Sequence, residues 1–231
     1  MTVAVAVILT GFRMATADQA AINEKVFNKR AILKSLAGGL DGNLDDMSDD
    51  QVQSVFNDNV KQFVIKADGT LAEDATLVAE DIKMKKEVKK AVADRNLPLF
   101  VYTNPSNNKS YYITSVRGKG LWDEIWGSVA LEQDFNTIVG VSFDHAAETP
   151  GLGAEIKDNT AWVSQFTGKS IYNDAGEYVS ILVRKGGAIP GNPHHVDAIT
   201  GATITGDGVT KMLENGLKLY EPYFATLKAG K

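Results

Sequence analysis

The chain has 231 residues, of which 44% are hydrophobic and 23% are charged, so its composition is that of a globular protein rather than a disordered chain. Its 24 Lys and Arg against 29 Asp and Glu give a net charge of -5, which argues against a nucleic-acid-binding module. The sequence contains no cysteine, which excludes disulfides, Cys-ligated zinc, iron–sulfur clusters and thiol nucleophiles. Redox chemistry in this chain would therefore need an organic cofactor.

An uncharged apolar run occupies residues 3–12 and is ended by Arg13. A membrane-spanning helix needs about 20 predominantly apolar residues, roughly twice this length. No basic stretch precedes the run, as it would in a secretory signal. Three interpretations stay open: a buried element, the remaining half of a truncated N-terminal membrane anchor, or an intact interfacial segment. The pattern favours the truncated anchor for residues 1–12.

Hydrophobic periodicity, capping residues and turn residues predict the secondary structure along the rest of the chain. Helices are predicted at residues 13–36, 49–57 with Ser48 as N-cap, 81–95, 159–166 and 207–227. Strands are predicted at residues 62–66, 99–103, 110–117, 128–132, 137–145 and 178–185. The lysines of residues 81–95 are interpreted as a solvated helix face, because no aromatic residues interleave with them for stacking on bases.

These elements indicate an α+β fold, in which an antiparallel sheet is flanked by helices at both ends of the chain. Residues 1–12 form the apolar segment. Residues 13–95 are predicted to be a helical N-terminal region that packs on the main domain. Residues 96–231 are predicted to be that main domain.

A threonine- and glycine-rich segment at residues 197–208 reads DAITGATITGDG and leads into the last predicted helix. Gly201 permits a positive φ or a close approach of the backbone to a ligand. Thr203 carries a hydroxyl just before the helix, where free N–H groups and the helix dipole favour an anion such as a phosphate. An ordinary N-cap at Thr205 or Asp207 would explain the same segment, and both interpretations stay open at this point.

Three motifs in the same order resemble the FMN-binding domain family. Residues 197–203, Asp-x-x-Thr-Gly-Ala-Thr, resemble its flavinylation motif D-x-x-(S/T)-G-A-(S/T). Residues 118–122, GKGLW, resemble its G-x-G-L-W segment, and residues 148–153, ETPGLG, resemble its E-T-P-G-L-G loop. The similarity covers residues 101–227. The family includes the C subunit of the sodium-translocating NADH:quinone oxidoreductase, to which residues 29–36, KRAILKSL, are also similar, and the G subunit of the Rnf complex.

The resemblance implies a flavoprotein in which a separate flavin transferase joins the FMN phosphate to the hydroxyl of Thr203 as a phosphoester. Residues 96–231 are then the FMN-binding domain. Carried over position by position, the motifs imply further cofactor-binding residues: Asp197, Thr200, Gly201, Ala202, Thr205, Leu121, Trp122, Thr149, Gly151, Leu152 and Gly153. No catalytic side chain and no metal ligand is expected.

The resemblance also implies an electron-transfer subunit, incomplete as an enzyme on its own, in a complex that oxidises NADH, reduces a quinone such as ubiquinone and translocates sodium. Its electrons would pass to a flavin in the neighbouring B subunit. The family topology implies a single N-terminal anchor in the bacterial inner membrane and an extracytoplasmic globular domain. Two alternatives stay open: the G subunit of an Rnf-type complex, and a flavin-free α+β interaction domain.

Individual residues in these motifs also have simpler interpretations. Leu121 and Trp122 could form the wall of a flavin slot, but Trp122 could equally be a core residue. The glycines of residues 149–153 could let backbone N–H groups approach the ring, or could form only a turn. His194 and His195 are expected to be solvated, and the histidine spacing does not indicate a metal site. Glu148 has no nucleophile nearby in sequence and is assigned no acid–base role.

Overall fold

The structure, a computed structural model, describes residues 2–229. Met1 of the predicted segment 1–12, and Gly230 and Lys231 of the predicted domain 96–231, lie outside the described residues. A five-stranded antiparallel sheet has the strand order β1-β2-β3-β4-β5. Its strands are β1 Val60–Lys66, β2 Asn96–Thr103, β3 Ser110–Lys119, β4 Glu124–Leu131 and β5 Ile138–His145. A parallel pair consists of β6 Leu182–Arg184 and β7 His195–Asp197.

Helices lie at both ends of the chain and between the two sheets. They are α1 Thr2–Lys34, α2 Asp49–Asn59, α3 Met84–Glu87, α4 Glu155–Asp158, α5 Thr160–Ser164, α6 Thr203–Lys218 and α7 Glu221–Ala229. The predicted α+β fold, with an antiparallel sheet between N-terminal and C-terminal helices, is confirmed. The boundary proposed at residues 95 and 96 stays a prediction; β1 before it pairs with β2 after it.

The sheet is buried on both faces, because alternate side chains of each strand point to opposite sides. On one face, Leu97 and Leu99 of β2 belong to a core that also contains residues of α5, α6 and α7. On the other face, Phe100 and Tyr102 belong to a core with the end of α1 and with α2. The sheet therefore separates two hydrophobic cores.

Helix α1 is continuous for 33 residues, so the helix predicted at residues 13–36 extends back through the apolar run to Thr2. Its last turns are buried, with Leu33 fully covered, whereas the apolar side chains Ile8 and Phe12 are 69% and 71% exposed. The apolar run is therefore not a buried element. By length and hydropathy alone, Ala4–Lys34 qualifies as a candidate membrane span.

The short helix α2 begins as the sequence predicts. The Ser48 hydroxyl accepts the Gln51 N–H at 3.3 Å, and the Gln51 side chain accepts the Ser48 N–H at 2.8 Å, which completes a capping box. The helix extends two residues beyond the predicted end at residue 57.

The predicted helix at residues 81–95 is wrong, because only the single turn α3 is α-helical there. The buried Glu87 carboxylate accepts the Asn96 N–H at 2.9 Å and pairs with Lys90. The Arg95 guanidinium donates to the Val88 carbonyl at 3.0 Å. These bonds fold the segment back on itself, so the lysines lie on turns rather than on a regular helix face.

Other predicted elements have different bounds. The helix predicted at residues 159–166 is shortened to α5, and the strand predicted at residues 128–132 begins earlier, at Glu124 of β4. The strand at residues 178–185 is shortened to β6 because Ser180 has a φ of 59°, which interrupts the extended backbone. The last helix starts earlier, at Thr203, and is divided into α6 and α7. Pro222 lies in the first turn of α7, where its missing N–H is tolerated, and cannot continue the hydrogen bonding of α6.

Close contact with β3 fixes the position of α6. A Cβ added at Gly208 would lie 2.3 Å from the Lys119 carbonyl oxygen, and one added at Gly216 would lie 2.7 Å from Cγ1 of Val116. Helix and strand can approach this closely only because both positions lack a side chain. The first turn of α6 therefore lies beside the end of β3.

Replacing Gly208 with alanine is expected to lower the free energy of unfolding by about 1–3 kcal/mol, because α6 and β3 would have to separate. In an unhindered helix the same change would raise stability by up to about 1 kcal/mol. The sign of the change, measured by denaturant unfolding with circular dichroism, therefore reports the contact. Lys211→Ala, at an exposed position of the same helix, is the control and should change stability by less than about 0.5 kcal/mol. A Gly208→Ala protein as stable as the wild type would contradict the close approach.

Candidate functional site

The three motif segments meet at the N-terminal end of α6. Strands β3 and β5 both end at the same end of the antiparallel sheet, on either side of the start of β4. The loops that follow them therefore emerge together. The first loop follows β3 and contains Trp122, and the second follows β5 and contains Glu148. The backbone N–H of Trp122 donates to Oε1 of Glu148 at 3.0 Å. The Thr205 hydroxyl of α6 donates to Oε2 of the same carboxylate at 2.5 Å.

The N-terminus of α6 has no side-chain cap among the described residues. Ala202 occupies the N-cap position, and its methyl group cannot accept a hydrogen bond. Thr203 is the first helical residue and its side chain is exposed. Free N–H groups and the positive end of the helix dipole are thus available to an anion beside the Thr203 hydroxyl.

The alternative N-caps predicted from the sequence are wrong. Thr205 and Asp207 both lie inside α6. Thr205 is 1% exposed, and its hydroxyl donates a hydrogen bond to the Glu148 carboxylate. An ordinary helix cap therefore does not explain this threonine-rich segment.

Sequence reasoning missed Glu148 as a member of the site. Its side chain is 4% exposed and accepts hydrogen bonds from two segments, and its own N–H donates to Nδ1 of His145 at 3.1 Å. A Cβ added to Gly120 would lie 2.5 Å from Oε1 of Glu148, and a Cβ added to Gly153 would lie 2.3 Å from Oε2. The two glycines make room for the carboxylate. A lone glutamate next to glycine-rich loops was the signal available in the sequence.

Large apolar side chains on the three segments are exposed rather than buried. Trp122 is 65% exposed, which excludes its interpretation as a core residue, and Ile204 is 57% exposed. Leu121 and Leu152 are 43% and 41% exposed. The indole N–H of Trp122 donates to the Thr149 hydroxyl at 3.1 Å, which holds the ring beside the second loop. These side chains offer apolar surface close to the uncapped N-terminus of α6.

Gly201, for which the sequence permits a positive φ, and Gly151 of the second loop both have positive φ. Gly201 has a φ of 78° and Gly151 a φ of 73°. A Cβ on Gly201 would lie 2.6 Å from Cδ2 of Leu152, so the segment before α6 passes directly against the second loop. Thr200 is exposed, next to Gly201.

Asp197 is the predicted site residue that the structure places in a different environment. Its carboxylate accepts the Ala188 N–H at 2.6 Å, and its carbonyl accepts the indole N–H of Trp162 at 2.6 Å. It therefore fixes the 186–188 turn and the end of β7. Within the described part of the chain, its carboxylate is hydrogen-bonded to that turn rather than to Thr203.

The histidines are less solvated than predicted. Both His194 and His195 are half-buried, and Nδ1 of His194 lies 2.6 Å from the Ser170 carbonyl oxygen. Burial lowers the pKa of His195 below its ordinary value, and the Arg184 charge acts in the same direction. Within residues 2–229, no group of three or more His, Asp or Glu side chains could hold a metal ion.

Two cavities lie away from the motif segments. One, of about 680 Å³, is lined by residues that include Asp134, Tyr172 and Glu221. The other, of about 470 Å³, lies between the last turns of α1 and the sheet and includes Phe27 and Trp126. Neither of these two cavities is lined by a residue of the three motif segments.

The FMN-binding domain family model matches residues 120–218, which contain the second loop and α6. The C subunit of the Na(+)-translocating NADH-quinone reductase of Vibrio anguillarum is 36% identical over 156 residues, which cover 66% of this chain and 60% of that protein. The match thus spans less than two thirds of that relative's own length.

Two solved structures are similar over most of their length. The crystal structure of the C subunit of the Na(+)-translocating NADH-quinone reductase from Parabacteroides distasonis has a TM-score of 0.75 and 31% identity, and the match covers 89% of this chain and 94% of that one. Shewanella oneidensis NqrC has a TM-score of 0.74 and 32% identity, with 90% and 99% covered. The resemblance found in the motifs is thereby confirmed over the whole fold. The chain belongs to the family of the C subunit of the Na(+)-translocating NADH-quinone reductase and contains an FMN-binding domain.

Proposed function

We propose that this chain is an electron-transfer subunit of a Na⁺-translocating NADH-quinone reductase and carries FMN joined through its phosphate to Oγ1 of Thr203. The observation that carries the proposal is the exposed Thr203 hydroxyl at the first position of an uncapped helix. A phosphate attached there receives the free N–H groups and the positive end of the helix dipole. The names of the relatives supply the identity of the complex.

The residues present fit a flavin. Trp122, Leu121, Leu152 and Ile204 offer exposed apolar surface suited to a flat ring. Gly151 has a positive φ, and among the described residues nothing lies within 4 Å of a Cβ built on it, so the second loop presents open backbone. These contacts would hold the ring and exclude water from one of its faces, while α6 would hold the phosphate.

The attachment would be a substitution at the phosphorus atom of the flavin phosphate, with AMP as the leaving group. A flavin transferase would break the phosphoanhydride bond of a flavin adenine dinucleotide, and Oγ1 of Thr203 would form the new bond to the flavin phosphate. The hydroxyl proton and AMP would leave, and the protein would gain one FMN less one water. Because Thr203 is exposed, a second protein can reach it.

FMN supplies the redox chemistry when bound, since it can exchange electrons with one-electron and two-electron partners. In the complex, the chain would relay electrons between NADH oxidation and quinone reduction through a flavin in the B subunit, and it would have no complete activity alone. Helix α1 would be the single anchor in the bacterial inner membrane, with the globular domain extracytoplasmic. The support for this placement is the length and apolar character of Ala4–Lys34.

Thr203→Ala is expected to abolish covalent FMN without unfolding the domain, because the hydroxyl is the acceptor and its side chain is exposed. Intact mass and peptide mapping after coexpression with a flavin transferase measure the change. Thr226→Ala, which removes the hydroxyl of another exposed helical threonine outside the three motifs, is the matched control and should still gain FMN. A Thr203→Ala protein that retains FMN after denaturation would rule out this attachment site.

Removing residues 2–21 is expected to release the chain from membranes and to leave the melting temperature of the domain within a few degrees of the full chain. The described side chains of residues 2–25 are exposed, so the deletion takes no residue from either core. Membrane fractionation and thermal unfolding measure the two effects. Removing residues 2–34 is the contrasting variant, since it also deletes Ile32 and Leu33 from the core and should unfold the domain. Retention of the shorter chain in the membrane fraction would contradict the anchor.

A further inference from the structure

The three flavin-site segments are joined through one carboxylate. Each oxygen of Glu148 accepts a hydrogen bond from a different segment, Oε1 from the Trp122 N–H at 3.0 Å and Oε2 from the Thr205 hydroxyl at 2.5 Å. The side chain itself belongs to the third segment. Removing the carboxylate would therefore remove one hydrogen bond to the first loop and one to the first turn of α6 at once.

The carboxylate has little freedom to move. It lies between Gly120 and Gly153, and a Cβ built on either glycine would approach it to 2.5 Å or less. On Gly153 the same Cβ would lie 2.7 Å from the Thr205 hydroxyl oxygen. The glycines of two motifs therefore surround the carboxylate closely, and they explain its position without any contact to a ligand.

Apolar contacts hold α6 on the sheet independently of Glu148. Val209 and Met212 of α6 belong to the hydrophobic core on that face of the sheet. The ends of the site can therefore be disturbed while the fold persists. Thr203 lies two residues before Thr205 in the same helical turn, so a shift of Thr205 moves Thr203 relative to Trp122.

We propose that Glu148 is a positioning residue of the flavin site: it holds the first turn of α6, and with it the Thr203 hydroxyl, at a fixed distance from Trp122 and the 149–153 loop. This inference rests on the proposed function, since it assigns a role at the same site. Glu148 acts through Trp122 and Thr205 and does not itself contact the flavin. Aspartate, one methylene shorter, could not reach both donors.

The test is the initial rate of FMN transfer to the purified full chain, in detergent, with a flavin transferase and flavin adenine dinucleotide, below the melting temperature of every variant. Glu148→Ala is expected to slow transfer at least tenfold. Thr205→Val, which keeps the side-chain shape and removes the hydroxyl, should slow it at least threefold. Glu148→Gln, which keeps an acceptor for the Trp122 N–H, should restore transfer to within about threefold of the wild type.

Tyr220→Phe is the control for stability. The Tyr220 hydroxyl is buried in the turn between α6 and α7, far from Thr203, where it donates to the Pro98 carbonyl at 2.9 Å, so its loss should lower the melting temperature and leave the transfer rate unchanged. In fully loaded protein, the flavin midpoint potential of Thr205→Val should differ from the wild type by more than that of Tyr220→Phe does.

The outcomes separate this inference from the proposed function. A wild-type chain that gains no FMN would refute the proposed function. A wild-type chain that gains FMN at Thr203, with Thr205→Val and Glu148→Ala equally fast, would overturn the positioning role alone. If Glu148→Ala does not fold, Thr205→Val and Glu148→Gln decide the result: transfer by Thr205→Val at the wild-type rate overturns the role.

Discussion

Close packing of α6 on β3 is the constraint on which the rest of the site depends. Three glycines make it possible: a Cβ on Gly118 would lie 2.7 Å from Cβ of Met212, while Gly208 and Gly216 meet Lys119 and Val116 as closely. Interiors this tightly packed do not absorb an extra methyl group without displacement. The packing brings the start of α6 to the end of the sheet at which the loops after β3 and β5 begin. An uncapped helix end and two loops can then form one surface.

Much of this arrangement could be predicted from the sequence, because local signals agreed with the fold. Ser48 and Gln51 form the capping box that their spacing indicates. Alternating apolar residues located the five strands of the main sheet to within a few residues of their ends. The motifs also indicated which loops meet. The two glycines at residues 118 and 120 have a packing explanation. Gly118 lies against Met212 of α6, and Gly120 lies against the Glu148 carboxylate.

The errors arose where tertiary contacts override local preference. Residues 81–95 have helical periodicity, but the hydrogen bonds of Glu87 and Arg95 fold the segment into turns. Helix α6 begins at Thr203 because its glycines pack against β3, even though glycine is a poor helix former. The motif contains Glu148, but the hydrogen bonds of its side chain could not be predicted from the sequence, because its partner Thr205 is 57 residues away. A buried carboxylate becomes visible only when its donors are placed around it.

The N-terminal and C-terminal helices pack on opposite faces of the sheet. The end of α1 packs with α2 on one face, and α6 packs on the other, while adjacent residues of β2 such as Leu99 and Phe100 point to opposite cores. The buried end of α1 and the N-terminal end of α6 therefore depend on separate sets of contacts, joined through the hydrogen-bonded strands of the sheet. Helix α1 runs without interruption from its apolar end into its buried turns. The orientation of the N-terminal end of α6 relative to α1 is thus set by the sheet itself.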